Sequence, residues 1–165
     1  MNRHLDNVGL IKVGVECCIT FGNKVLLQRR PESTSFFPNY LSFPGGHVDE
    51  GEDVLKACIR EVSEETGIDI SKAKIRLVIN TINNHKDKGI VWIIYGFSVE
   101  LSEEIAPVSS DEGVCNWYEV SKLDKSQIVP PVLDYFDELL SSKNVLFTCG
   151  VYSENKVIVS TNSSL

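Results

Sequence analysis

No apolar run in this 165-residue chain reaches the ~20 residues that a membrane-crossing helix needs. The longest candidate, GIVWIIYGF at 89–97, stops well short, so a membrane location is not expected. The opening residues, MNRHLDNVGLIKVG, lack a basic stretch followed by an apolar one, so no secretory signal is expected and the reading is a soluble, cytoplasmic protein. Cysteine is sparse and odd in number: Cys17, Cys18, Cys58, Cys115 and Cys149, with no C-x-x-C pair. That argues against a disulfide framework and against a zinc site. Reduced, mostly buried thiols are expected, with Cys58 on the apolar stripe of a helix and Cys17 and Cys18 inside a strand, none of them a nucleophile. Basic residues are also short, 16 Lys and Arg against 23 Asp and Glu, for a net charge of −7. An acidic balance disfavours a groove for a nucleic-acid polymer. It leaves room for a small phosphorylated ligand whose charge a metal neutralises. Repeats and low-complexity segments are absent as well.

What is present suffices for one core: 42% of residues are apolar, and the length suits a single domain over 1–165. LIKVGVECCIT (10–20) and VLLQR (25–29) read as strands joined by a Gly22-Asn23 hairpin turn. PESTSFFPNYLSF (31–43) has two prolines, three serines and no sustained period, hence a long loop, and long loops in compact domains are often functional. A helix is predicted from Glu52 or Asp53 to a C-terminal stop at Gly67, with Leu55, Cys58, Ile59, Val62 and Thr66 as its core stripe. KIRLVINTI (74–82), IVWIIYGFSVEL (90–101) and VCNWYEV (114–120) read as strands, with NNHKDKG as the turn between the first two. Pro130-Pro131 opens one helix through VLDYFDELLSS, on the helical spacing of Val132, Leu133, Phe136, Leu139 and Leu140. Residues 144–165 read as a C-terminal hairpin extension. The order predicts an α/β fold with a mixed β-sheet flanked by helices.

The stretch GGHVDEGEDVLKACIREVSEETGIDI (45–70) carries the chemistry. Glu61, Glu64 and Glu65 stand at i, i+3 and i+4 on one helical face, about 100° round from the core stripe. Like charges at that spacing repel, so a partner is expected to offset them. Carboxylates beside glycines, which let backbone come close, form a site for a hard divalent cation, Mg²⁺ or Mn²⁺ rather than zinc. Mg²⁺ shares its remaining positions with phosphate oxygens, and the N–H groups at Gly45-Gly46 favour phosphate too. Hydrolysis at phosphorus is the chemistry that follows.

Gly46, Glu52, Arg60, Glu61, Val62, Glu64, Glu65, Gly67 and Ile68 match every specified position of G-x5-E-x7-R-E-U-x-E-E-x-G-U, where U is aliphatic. The chain thereby resembles the Nudix hydrolases, and QRRPESTSFFPNYLSFPGG resembles their mutator-type nucleotide pyrophosphohydrolase branch. The resemblance implies a Nudix α/β/α sandwich and metal binding by Glu61, Glu64, Glu65 and the Gly45 carbonyl. It implies Arg60 orienting Glu61, Glu52 pinning the loop to the helix, and Glu64 polarising the attacking water. For a further acid outside the box it points to the SSDEG turn at 109–113, with Glu112 chosen and Asp111 second. Arg29 aligns with the family arginine that reaches substrate phosphate, and Gly46 lies against the same group. Of the loop aromatics Phe36, Phe37, Tyr40 and Phe43, Tyr40 and Phe43 are named as base contacts, although Phe43 also suits the core, as do Trp92 and Trp117. His47 and His85 have no metal spacing.

The implied activity is Mg²⁺-dependent hydrolysis of a nucleoside triphosphate, standard or oxidised, or of another nucleoside diphosphate-X. Alternatives are ADP-ribose, dinucleoside polyphosphates, nucleotide sugars or coenzyme A as substrates, and a non-catalytic nucleotide sensor. The expected partner is a small nucleotide, with the protein a monomer or homodimer. In mutator-type enzymes that recognise 8-oxoguanine, a polar residue just after a Pro-Pro pair reads the purine. Here Val132 and Leu133 take that place, with Asp134 one residue off.

Overall fold

The computed structural model describes residues 10–153 and the backbone of 156–164; the expectation about the N-terminal nine residues lies outside the described residues. In chain order the strands are β1 (Leu10–Phe21), β2 (Lys24–Arg29), β3 (Leu41–Ser42), β4 (Arg76–His85), β5 (Ile90–Glu100), β6 (Val114–Glu119), β7 (Leu146–Ser153) and β8 (Lys156–Ser164). The helices are α1 (Val54–Thr66), α2 (Pro130–Leu133) and α3 (Phe136–Ser141). One mixed sheet runs β3-β2-β1-β5-β4-β7-β8, with β6 on β2. β1/β5 and β4/β7 are parallel and the remaining pairs antiparallel. The expected hairpins at Gly22-Asn23 and at the C-terminal end both form.

Strand side chains alternate between faces, and here the alternation sorts two cores. Val15, Cys17 and Ile19 of β1 pack with Leu26, Phe97 and Val99 under Ala57, Cys58 and Val62 of α1. Cys18 and the flanking Val25 and Leu27 of β2 pack on the other face with Ile79, Phe136 and Leu139. Helices on both faces give the α/β/α sandwich. No helix among the described residues is long and apolar enough to cross a membrane.

Helix α1 starts where its chemistry dictates. Asp53 caps it by accepting from the Leu55 and Lys56 amides at 3.1 and 3.0 Å, and Gly67 ends it at φ 71°. Its buried face is rotated from the predicted stripe. Leu55 is exposed, while Ala57, Glu61 and Glu65 are buried with Cys58, Val62 and Thr66. Glu61 and Glu65 therefore lie within the buried face instead of beside it, because β1 and the 44–48 segment close over them, while Glu64 stays exposed.

Three further expectations are corrected. The predicted single helix after Pro130 is broken: Tyr135 takes φ −137°, ψ 16°, and α3 restarts in a new phase. The break turns Tyr135 fully inward and leaves Leu133 exposed, with Asp134 accepting from the Tyr152 hydroxyl at 3.1 Å. Second, β4 runs through Asn83, Asn84 and His85, since each finds a partner on β5 and β7 at once, and only Lys86–Gly89 remains as turn. Third, Trp92 lies beside a cavity instead of in the core, with its ring 4.9 Å from that of His47. Trp117 does pack against the core, its indole N–H donating to the Ile105 carbonyl at 2.8 Å. Four cysteines are buried as expected and Cys149 is exposed.

Candidate active site

The outer edge of β1 serves two partners in succession. Its far end pairs with β2, and its middle pairs with the Pro44–Val48 segment: the Val15 and Cys17 amides donate to the Gly46 and Pro44 carbonyls at 2.9 and 2.8 Å, and the Val48 amide donates to Val13. With those two carbonyls facing β1, the extended backbone turns the N–H and C=O of Gly45 the other way, toward α1. The Gly45 amide donates to Glu65 Oε2 at 2.7 Å. No side chain fits at either glycine. A Cβ on Gly45 would collide with the Val15 carbonyl, and one on Gly46 would lie 2.5 Å from the Glu61 carboxylate.

Glu61, Glu65 and Glu112 bring one carboxylate oxygen each to within 4.8 Å of one another. Glu112 arrives from the Ser110–Gly113 turn, which hangs where β6 begins against the end of β2. The Glu112 amide donates to Ser110 Oγ at 3.2 Å. Burial pushes Glu65 up to about 8 in spite of the Gly45 N–H bond, and Glu112 and Glu61 add to the rise. Burial likewise raises Glu61, against the opposing pull of Arg60, with Glu112 and Glu64 raising it further. Crowded, half-desolvated carboxylates of this kind hold protons until a cation replaces them. An all-oxygen donor set on a hard, shared point fits a divalent ion such as Mg²⁺ or Mn²⁺.

Glu64 does not join this group. It is exposed, and its Oε2 accepts from Arg60 at 3.1 Å. Side chains at i and i+4 lie one above the other on a helix, so Glu61 and Glu65 stack inward while Glu64 is swung toward solvent. Arg60 is the hub behind the cluster. It bonds Glu52 twice, at 3.1 and 2.8 Å, Glu61 at 2.9 Å, and the His47 carbonyl at 3.0 Å. The Arg60 hydrogen bonds thereby lower the Glu52 pKa from its ordinary value. The fork ties the 47–52 loop to α1 and fixes the Glu61 carboxylate.

Beside the acids opens a cavity of about 490 Å³, of a size that takes a nucleotide-sized ligand. The sequence expectations for its wall need correction. Arg29 is not on it: its guanidinium donates to the Asn39 carbonyl at 2.8 Å and to Gln127 Oε1 at 2.9 Å. The next residue, Arg30, is on the wall, held by the Phe36 carbonyl at 3.1 Å and Thr34 Oγ1 at 3.0 Å. Tyr40 also lies off it, packed edge-on against Phe37. Phe43 reaches the wall only as the face of a core stack on Phe136, with ring centroids 5.2 Å apart. Phe37 is a buried non-glycine residue at φ 48°, a conformation that costs about 1–2 kcal/mol and is held by contacts to Tyr40 and His85. Asp134 is on Tyr152 and not on the wall.

Among the cavity residues missed at the level of sequence are Lys12, Glu16, Gln28, Asn83, Tyr135 and, as a wall residue, Trp92. An acid inside the apolar run VGVECCI was the available signal, because a charged residue on a central strand is rarely buried without a role.

The family model described as NUDIX domain matches residues 11–139, most of the chain. An m7GpppN-mRNA hydrolase, NUDT17, of Xenopus laevis is 48% identical over 59 residues, 35% of this chain and 20% of that protein. The chain thus matches about a fifth of that relative's length. An uncharacterized Nudix hydrolase, YvcI, of Bacillus subtilis (strain 168) is 25% identical over 138 residues, covering 83% of this chain and 84% of that protein. The crystal structure of a MutT protein from Bacillus halodurans superposes with a TM-score of 0.78 at 22% identity, over 92% of this chain and 97% of that one.

Proposed function

The chain belongs to the Nudix family, and from that premise we propose that it is a divalent-metal-dependent pyrophosphohydrolase of nucleoside triphosphates or related nucleoside diphosphate-X compounds. The observation that carries this reading is the meeting of Glu61, Glu65 and Glu112 at the mouth of a nucleotide-sized cavity. Glu61, Glu65, Glu112 and the Gly45 carbonyl would hold the metal. When bound, such an ion supplies a water of lowered pKa and neutralises charge that builds on the leaving phosphate.

The chain's own residues supply the rest. Arg60, anchored on Glu52, keeps Glu61 from rotating away, and the exposed Glu64, held through Oε2 on the same guanidinium, would accept the proton from water. Arg30, whose charge acts on Glu65 and Glu112, and Lys12, over the Trp92 ring, put positive charge on the cavity wall, which suits a phosphate chain. Water adds to phosphorus and the P–O–P bond breaks, giving a nucleoside monophosphate and pyrophosphate or P-X. The acidic balance still argues against a long polymer groove. A capped RNA end, however, is itself a short pyrophosphate, and one relative is named for it, so capped ends belong among the substrates to be compared.

The test is a product-resolved screen of nucleoside triphosphates, ADP-ribose, dinucleoside polyphosphates and capped RNA with Mg²⁺ and with Mn²⁺. Monophosphate plus pyrophosphate from a triphosphate is the expected result. Nucleotide binding without hydrolysis of any member would replace the enzyme by a sensor.

A further inference from the structure

The cavity has two unlike ends. Toward β2 and α1 its wall carries Arg30, Glu65 and Glu112, the groups assigned above to phosphate and metal. Toward β4 and β5 it carries Trp92, Ile94 and His85, faced by Phe36 of the 31–43 loop, whose ring stands edge-on to His85 with centroids 5.2 Å apart. Strand β5 lies between β1 and β4, so two strand spacings, about 10 Å, separate β4 from the strand on which Gly45 and Gly46 pack. A nucleotide whose phosphates meet the acids therefore lays its base against the aromatic end.

One amide side chain is anchored at that end. Asn83 of β4 is buried and pairs in register with Trp92 of β5 on one side and Gly150 of β7 on the other. A Cβ on Gly150 would collide with the ring of Tyr152, so the glycine lets that ring lie across β7 next to Asn83. The Tyr152 ring is itself fixed, stacked on His85 and donating through its hydroxyl to Asp134 at 3.1 Å. Flanked by two aromatic neighbours, Asn83 also accepts at Oδ1 from Thr81 Oγ1 at 3.0 Å. Its amide nitrogen Nδ2 has no hydrogen-bond partner among the described residues. Glu16 Oε1, Gln28 Nε2 and Ser42 Oγ are the unpartnered side-chain atoms sealed from solvent; Asn83 Nδ2 is not one of them, and it opens on the cavity that Asn83 lines. A donor already held in one orientation loses little further freedom when a ligand accepts from it.

We infer that Asn83 selects the nucleobase, its Nδ2 donating a hydrogen bond to a ring carbonyl oxygen of the base. The inference rests on the nucleotide reading above and names the class of base: guanine, hypoxanthine, uracil or thymine, which carry a carbonyl where adenine and cytosine carry an amino group. With an amino group in that place two donors oppose each other inside the cavity. Sites built around a hydrogen bond reject strongly the analogue that cannot make it, whereas apolar pockets do not.

The experiment compares kcat/KM within two matched pairs, ITP with ATP and UTP with CTP, for the wild type, Asn83→Leu and Asn83→Asp. Within each pair a carbonyl is exchanged for an amino group and the adjacent ring nitrogen loses its proton. A ratio taken within one preparation is insensitive to a partly misfolded fraction. The pair that is hydrolysed faster should show a preference for its carbonyl member, about 10-fold to 100-fold, that falls toward unity in Asn83→Leu. Asn83→Asp, which when ionised presents an acceptor in place of the amide N–H, should shift the ratio toward the amino member, a change that lost packing alone does not produce. Calorimetric titration of the corresponding monophosphates gives the same ratios without turnover. A preference for the amino member of that pair in the wild type, no preference, or one unchanged in Asn83→Leu overturns the assignment while leaving the hydrolase reading intact. Absence of hydrolysis removes the hydrolase reading, and the monophosphate titration then decides on Asn83 alone.

Discussion

The carboxylate of Glu61 occupies the place where a side chain of Gly46 would be: a Cβ built there lies 2.5 Å from its carboxyl carbon and from both oxygens. Backbone and carboxylate are thus packed against each other without slack. Gly46→Ala should push Glu61 out of line with Glu65 and Glu112. Turnover should fall on the order of 100-fold, the cost of a displacement of about 1 Å at a reacting centre. Mg²⁺ titration of activity checks this, with the melting temperature as control; full activity at ordinary Mg²⁺ would show that Glu61 moves without consequence.

The second prediction concerns pH. Burial holds Glu65 up to about 8 and Glu16 up to about 7, both above the ordinary 4.5. Between those values the folded metal-free chain keeps protons that the unfolded chain has released. Metal-free stability is therefore full at low pH and is lost as pH rises through that interval. A cation competes with the proton for the Glu65 oxygens, so Mg²⁺ should raise the melting temperature more at about pH 8.5 than at about pH 6. Melts with and without chelator at both values measure it.

The two acids of the SSDEG turn should differ sharply. Glu112 reaches the carboxylate cluster, and Asp111, although on the cavity wall, does not. Glu112→Gln is expected to lower kcat on the order of 100-fold, within the range for loss of a metal ligand or base, while Asp111→Asn stays within about 3-fold. Equal effects would move the role to the turn as a whole.

Neighbouring arginines should separate in the same way. Arg30 faces the cavity and Arg29 is engaged by Asn39 and Gln127. Arg30→Ala should raise KM for a triphosphate about 10-fold, the loss of one charge-assisted phosphate contact. Arg29→Ala should leave KM within about 2-fold, since its bonds hold the 39 and 127 loops together. Steady-state kinetics on both variants distinguishes them.

Much of the architecture was legible because its causes are local. Asp53 and Gly67 cap α1 through their own neighbours, and Gly22-Asn23 turns the first hairpin. The succession of strands along the chain, apart from the short β3 inside the expected loop, followed from β-branched runs and turn residues. The failures share a different origin. Leu55 looked like core and is exposed, because β1 and the 44–48 segment decide which face of α1 is covered. The helix after Pro130 had continuous apolar spacing, yet it breaks at Tyr135, whose side chain has a partner in Glu16 that helical periodicity does not encode.

By itself the sequence determined the candidate site segment: nine residues of one glycine-helix unit, in which the 3.6-residue period of α1 already places Arg60 and Glu64 within reach of each other and Glu61 above Glu65. Only the tertiary structure decided which acids converge, Glu112 joining Glu61 and Glu65 while Glu64 stays apart, which arm of the Arg29-Arg30 pair faces the cavity, and that Glu16, Asn83 and Tyr135 meet there. Those residues come from β1, β4 and the joint between α2 and α3. Their meeting depends on sheet register and on which helix covers which face, and no short-range periodicity in the chain carries that information.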